Sequence, residues 1–194
     1  MALDDIETFY PASIKQWRQW LQKNHQNKVA VWIIYYKKGS GKNSISWSEA
    51  VDEALCFGWI DSTSRPIDHE KYKQYFTRRK PNSVWSAINK GKVQQLIDEG
   101  RMAQAGLDAI ETAKKNGSWE ILDAVENLTI PPDLEKEFKK HKGAKDYFSG
   151  LSKSVRKAIL QWLHIAKRDE TRKKRLTEIA ECAAQQQKPK PFRY

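Results

Sequence analysis

Arg78, Arg79 and Lys80 follow one another, with Tyr72 and Tyr75 just before them, Trp85, Asn89, Lys90 and Lys92 just after, and Arg65 on the preceding segment. A guanidinium group supplies charge and a planar fork of donors for a phosphate or carboxylate, and an aromatic face supplies a platform for a planar group. These residue types at this spacing point to a surface for an anionic, ring-bearing ligand. Its candidate residues are Arg65, Tyr72, Arg78, Arg79, Lys80, Trp85 and Asn89. The plainer reading is a solvated charged face, which is what most charge runs are.

A second cluster, Lys167-Arg-Asp-Glu-Thr-Arg-Lys-Lys-Arg175, holds six cations in nine residues. Lys167, Arg168, Arg172, Lys173 and Arg175 would neutralise several phosphates and give salt-dependent binding. In the alternative, Asp169 and Glu170 favour a helix N-terminus and the cations stay in water. No recognition-helix motif accompanies the cluster, so nothing here implies sequence specificity.

A third set is Cys56, Trp59 and Asp61, a candidate pocket between a short helix and a strand that would extend to Arg65, with His69 as a base for a thiol nucleophile. A catalytic thiol needs a helix N-terminus or a cation to lower its pKa. Cys56 instead stands late in its helix between Leu55 and Phe57, so it reads as a small core residue. Asp61, Asp68 and Glu70 could serve acid–base chemistry or hold magnesium, but short Asp-bearing turns use the same residues structurally. His25, His69, His141 and His164 are scattered without zinc spacing, so neither a metal nor a cofactor is expected. Lys38-Gly-Ser-Gly-Lys42 lacks the spacing of a phosphate-binding P-loop and reads as a turn.

The elements that must position these residues follow from periodicity. Ser13 caps a helix bearing Ile14, Trp17, Trp20 and Leu21, and Val29–Tyr36 is a β-branched and aromatic run suited to a strand buried on both faces. Ser46-Trp-Ser-Glu49 is a capping box that opens a short helix ended by Gly58. Trp59–Ile67 and Lys71–Arg79 form an antiparallel pair around Asp68-His-Glu, joining the first strand in one small sheet. From Ser83 the pattern is helical, with Met102, Ala105, Ala109, Ile110 and Ala113 on one stripe before Gly117. Thr129-Ile-Pro-Pro-Asp reads as a rigid joint. Beyond it, Val155, Ile159, Trp162, Leu163 and Ala166 mark one helix, and Leu176, Ile179, Ala180 and Ala183 another.

The fold class expected is therefore α+β, a small antiparallel sheet packed with helices and followed by a C-terminal helical module. The expected domains are a core over 1–128, the helical module over 129–185, and a flexible tail over 186–194. The net charge of +11 is uneven: residues 1–120 carry 18 basic and 14 acidic side chains, the remainder 17 and 10. Such a balance favours an anionic partner such as nucleic acid, a nucleotide or an acidic protein. The longest apolar run, Val29–Tyr36, is too short for a membrane span. Two distant cysteines and an acidic N-terminus without signal-peptide character lead to the expectation of a cytoplasmic protein.

Trp47-Ser-Glu-Ala-Val-Asp-Glu-Ala-Leu-Cys-Phe-Gly-Trp-Ile-Asp61, Phe76-Thr-Arg-Arg-Lys-Pro and Ser83-Val-Trp-Ser-Ala-Ile-Asn89 resemble the core of the YdeI-like, OmpD-associated bacteriocin-protection family. Gly100-Arg-Met-Ala-Gln-Ala-Gly106 and Ala166-Lys-Arg-Asp-Glu-Thr-Arg172 extend the resemblance over nearly the whole chain. Arg78 stands where that family's pattern has a proline, which loosens the loop and adds a charge. The resemblance implies a bacterial stress or resistance role, and the charge adds an anionic partner, so the expected function is that of a non-enzymatic binding or stress-protection protein. Nucleic-acid binding, and a small-ligand protein or enzyme with a pocket near Cys56–Arg65, are the alternatives.

Overall fold

The side chain of Ser13 accepts from the N–H of Gln16 and opens α1 (Ile14–Asn24), satisfying one of the donors that a helix start leaves orphaned. At α2 (Trp47–Cys56) the capping box is complete, with Ser46 accepting from Glu49 N–H and Glu49 accepting from Ser46 N–H. Gly58, at φ +70°, then turns the chain out of the helix in the left-handed conformation. These local signals are those expected from the sequence.

The computed structural model describes residues 5–193, divided into one unit ending at Glu120 and a second beginning at Ile121. In the first, β2 (Ala30–Tyr36), β4 (Lys71–Arg78) and β3 (Trp59–Pro66) form an antiparallel sheet in that order. β1 (Thr8–Phe9) adds to the free edge of β2 in parallel, so the sheet is mixed. Two residues are too few to show any period, and β1 had no signal in the sequence. Val31, Ile33 and Tyr35 of β2 enter a core with Trp17, Leu21, Leu55, Trp59 and Phe76, while Trp32 points to the opposite face.

α3 (Ala87–Asp98) and α4 (Gln104–Lys115) complete this unit. α4 lies directly on the α2–β3 turn: Ala103 N–H donates to the Cys56 carbonyl at 3.0 Å, and a Cβ on Gly106 would run into that same carbonyl. A buried carboxylate, Glu53, is held between Arg18 at 2.7 Å and Arg101 at 2.6 Å. It ties α1 and α2 to the α3–α4 connection, a link between distant segments that no local pattern announces.

The second unit contains α5 (Asp123–Glu126), α6 (Pro132–Phe138), α7 (Ala144–Gly150), α8 (Lys153–His164) and α9 (Asp169–Ala184). The apolar faces expected for α8 and α9 are present, with Ile159, Leu163, Leu176, Ile179, Ala180 and Ala183 buried. Three short helices accompany them. Pro131 and Pro132, read as a joint, instead start α6, where a missing N–H costs nothing. Residues 186–193, assigned to a flexible tail, are held against this unit. Gln187 N–H donates to the Cys182 carbonyl, Lys190 N–H to Glu178, and the Phe192 ring stands edge-on to Trp162 at 5.8 Å. No helix among the described residues is long and apolar enough to cross a membrane, and no cluster of three or more His, Cys, Asp or Glu forms a metal site among them.

Candidate functional site

Where β4 ends, Arg79 N–H donates to the Gly58 carbonyl at 2.9 Å and pins the departing chain against the α2–β3 turn. A turn closed by Ser83 N–H on the Lys80 carbonyl then brings Trp85 back beneath it, 2 % exposed. With α4 opposite, these segments enclose a cavity of about 250 Å³. Its apolar walls are Phe57, Gly58, Pro81, Trp85, Ala105 and Ala109, and its polar lining comes from His25, Gln26, Arg78, Arg79, Lys80, Asp108 and Thr112. Small residues let α4 come this close, because a Cβ on Gly58 would stand 2.9 Å from the Ala105 carbonyl oxygen and 3.1 Å from Ala109 Cβ.

Arg79 dominates the electrostatics. Its guanidinium lies 3.7 Å from the centre of the Trp85 ring and Nη1 donates to the Val84 carbonyl at 3.2 Å. The residue as a whole is half-buried because it faces the cavity, yet Nε is sealed from solvent without a hydrogen-bond partner. Among the described residues no carboxylate forms an ion pair with it, and burial pushes its pKa down to about 10, with only the more distant charge of Asp61 opposing. A cation stacked on an indole in a largely apolar hollow, with no ion pair among the described residues, has the chemistry to meet an anion, and Asp108 is the one acidic side chain in the same lining. His25 Nδ1 lies 2.9 Å from the Leu21 carbonyl, which fixes the proton on that nitrogen and leaves Nε2 as the second polar atom of the ring.

Of the seven residues grouped by sequence, the structure brings Arg78, Arg79, Lys80 and Trp85 to this cavity. Arg78 is largely occupied, donating to the Gln26 and Lys28 carbonyls at 2.6 and 2.9 Å. Tyr72 stands at the other end of β4, stacked on Tyr35 at 5.1 Å. Arg65 lies over Trp32 on the opposite face of the sheet. Asn89 is in the first turn of α3, its N–H bonded to Ser86, and does not line the cavity. Sequence proximity grouped what strand alternation and strand length separate.

Cys56, Trp59 and Asp61 do not converge on a pocket. Cys56 is fully buried and its thiol is pushed up to about 11, by burial first and then by the charge of Glu53. Trp59 is equally buried and donates to the His25 carbonyl at 3.3 Å. Asp61 accepts from Trp47 Nε1 and Gln74 Nε2 at 2.8 and 3.0 Å. The basic run of α9 is divided too. Arg172 makes a two-point pair with Asp133, at 2.6 and 3.1 Å, and Arg175 donates to the Trp162 carbonyl while lying over that ring. Lys167, Arg168 and Lys173 remain exposed.

The lining residues that sequence reasoning missed are His25, Gln26, Phe57, Gly58, Pro81 and the α4 face Ala105–Asp108–Ala109–Thr112. Their one signal was the run of small residues on α4, legible as close packing but silent about a hollow.

Residues 9–109 match the family model described as Domain of unknown function (DUF8412), which is more than half of the chain, and residues 127–186 match the model described as Bacteriocin-protection, YdeI or OmpD-Associated. The YdeI-like resemblance is thus carried by the C-terminal helices. The segments between Trp47 and Gly106 that first suggested it fall within the other model. Comparison with curated proteins and with solved structures gives no match.

Proposed function

This chain belongs to the family described as Domain of unknown function (DUF8412), and from that premise we propose that it is a non-enzymatic binding protein whose N-terminal unit holds a small anionic ligand at Arg79. Its C-terminal similarity to the Bacteriocin-protection, YdeI or OmpD-Associated family supports a role in protection against bacteriocins or a related stress. The observation that carries the binding reading is the Arg79 guanidinium, stacked on Trp85 in a largely apolar cavity and without a carboxylate partner among the described residues.

The cavity's size limits the ligand. About 250 Å³ lies just below the range of drug-sized sites. It suits one ring or a short acyl chain carrying a single carboxylate or phosphate. Apolar walls favour the body of such a molecule, and the guanidinium meets its head with charge-assisted hydrogen bonds, the stronger class in a water-poor setting.

The test is thermal stability of the purified protein against small aromatic and aliphatic carboxylates and phosphate monoesters, in parallel with Arg79→Gln. A ligand that binds only the folded state raises the melting temperature, by about 2.7 kcal/mol of stability at a hundredfold excess over Kd. The expected result is a shift from a small anion that persists in 0.5 M salt and disappears in Arg79→Gln. A shift of equal size in the variant, or none from any small anion at millimolar concentration, would sink the reading.

A further inference from the structure

The geometry points to a second binding surface, independent of the Arg79 cavity: the outer face of the sheet is a platform for single-stranded nucleic acid, RNA or DNA. Antiparallel register sets Trp32, Ile34 and Tyr36 of β2 opposite Tyr75, Lys73 and Lys71 of β4, with Arg65 of β3 beside Lys73. Directly paired residues share a face, so these seven side chains lie together on the side away from the Trp17–Phe76 core.

What they form is an alternation of rings and cations. Lys73 Nζ and the Arg65 guanidinium lie over the Trp32 ring at 4.6 and 5.4 Å, and Tyr75 meets the same ring edge-on at 5.1 Å. Lys42 and Lys71 lie over Tyr36 at 4.7 and 6.0 Å. The paired positions of this face carry no carboxylate. Among the described residues, Asp68 in the β3–β4 turn stands 3.5 Å from Lys71. Four cations gather over two rings although the first unit as a whole is only modestly basic.

A single strand matches this pattern better than an acidic peptide does. Lys71 and Lys73 are two residues apart on one strand, about 6.7 Å along it, and present their charges in a row. Such a row can follow the phosphates, while the half-exposed rings of Tyr36 and Tyr75 offer faces on which bases stack whatever their sequence. An acidic peptide would use the cations and leave the rings idle. A duplex keeps its bases stacked internally and would do the same.

The experiment is fluorescence anisotropy of labelled oligo(U) and oligo(dT) with the full-length protein from 50 to 300 mM salt. Binding is expected to weaken linearly in log–log form as salt rises. Arg65→Gln with Lys73→Gln should weaken it about fivefold or more and flatten the slope by about 1.4, at roughly 0.7 per phosphate contact on single strands. Lys42→Gln with Lys73→Gln, which leaves the cover of Trp32 by Arg65 in place, should act alike should the first pair disturb folding. Tyr75→Ala should cost on the order of tenfold, the loss of one stacked base. The proposal is overturned by absence of binding at 50 mM salt, by equal affinity for a duplex of the same length, or by equal competition from polyglutamate. It is also overturned if Lys167→Gln with Lys173→Gln removes binding and the sheet variants do not, which would place the polyanion on α9.

Discussion

At the scale of single residues, the informative contrast is between Arg79 and Cys56, two groups whose pKa values are both moved by burial and whose meanings differ. Burial without an ion pair disfavours the charged form of Arg79, so the ligand-free fold carries a penalty at every pH below about 10, and it fades as the pH rises from there towards the ordinary arginine value. Arg79→Met removes the charge and keeps much of the stacked stem. We expect it to raise ligand-free stability at pH 7 by about 1–3 kcal/mol while abolishing anion binding. The gap in urea midpoint between variant and wild type should narrow at pH 10.5; a variant less stable at both pH values would show that Arg79 is a structural strut. Cys56 lies deep among Leu55, Phe57 and the Glu53 cluster, with a thiol that stays protonated through neutral pH. Maleimide labelling at pH 7.5, read by mass spectrometry, should therefore leave Cys56 unmodified in the native protein and modify it in urea. Rapid native labelling would restore the reactive-thiol reading.

At the scale of elements, the cavity exists because α4 approaches the α2–β3 turn along Ala105, Gly106 and Ala109. A methyl group on Gly106 meets the Cys56 carbonyl, so Gly106→Ala must push the helix off the turn. The expected cost is at least about 1–3 kcal/mol in chemical denaturation, as for overpacking in a close-packed interior, together with loss of the anion-induced thermal shift. Unchanged stability would mean that the contact is soft. This scale also marks what a sequence discloses. Caps at Ser13 and Ser46, the Gly58 stop, the three long strands and the stripes of α8 and α9 were legible because each is written in residues close together in the chain. β1 was not, being two residues long, and α6 was hidden because Pro131-Pro132 serves equally as a break and as a first turn. The candidate site was half legible for the same reason. Arg78, Arg79, Lys80 and Trp85 are neighbours in sequence, whereas Gly58, Ala105 and Ala109 meet them only through tertiary packing. The Arg18–Glu53–Arg101 cluster joins three segments, and no local pattern predicts it.

At the scale of the whole molecule, charge sets the response to acid. At neutral pH 24 carboxylates temper 35 Lys and Arg residues to a net +11; as they protonate, the chain climbs towards +35 before any histidine is counted, and self-repulsion favours expansion. Ion pairs add a second, local term. Arg172 holds the Asp133 carboxylate below its ordinary value of 3.8, and hydrogen bonds from Arg101 do the same for Glu99, so both contribute stability that is complete above the unfolded-state pKa and lost as the pH falls through the lower folded value. The two terms separate by salt. Raising NaCl from 20 to 300 mM should move the acid-unfolding midpoint, followed by far-ultraviolet circular dichroism, to lower pH, since the screening length shrinks to less than about 10 Å and long-range repulsion is damped. Asp133→Asn should move it to higher pH at both salt concentrations, because it removes a two-point contact made at hydrogen-bond distance. If salt left the midpoint unchanged, the excess charge would be too dispersed to matter to the fold, and acid stability would rest on the paired carboxylates alone.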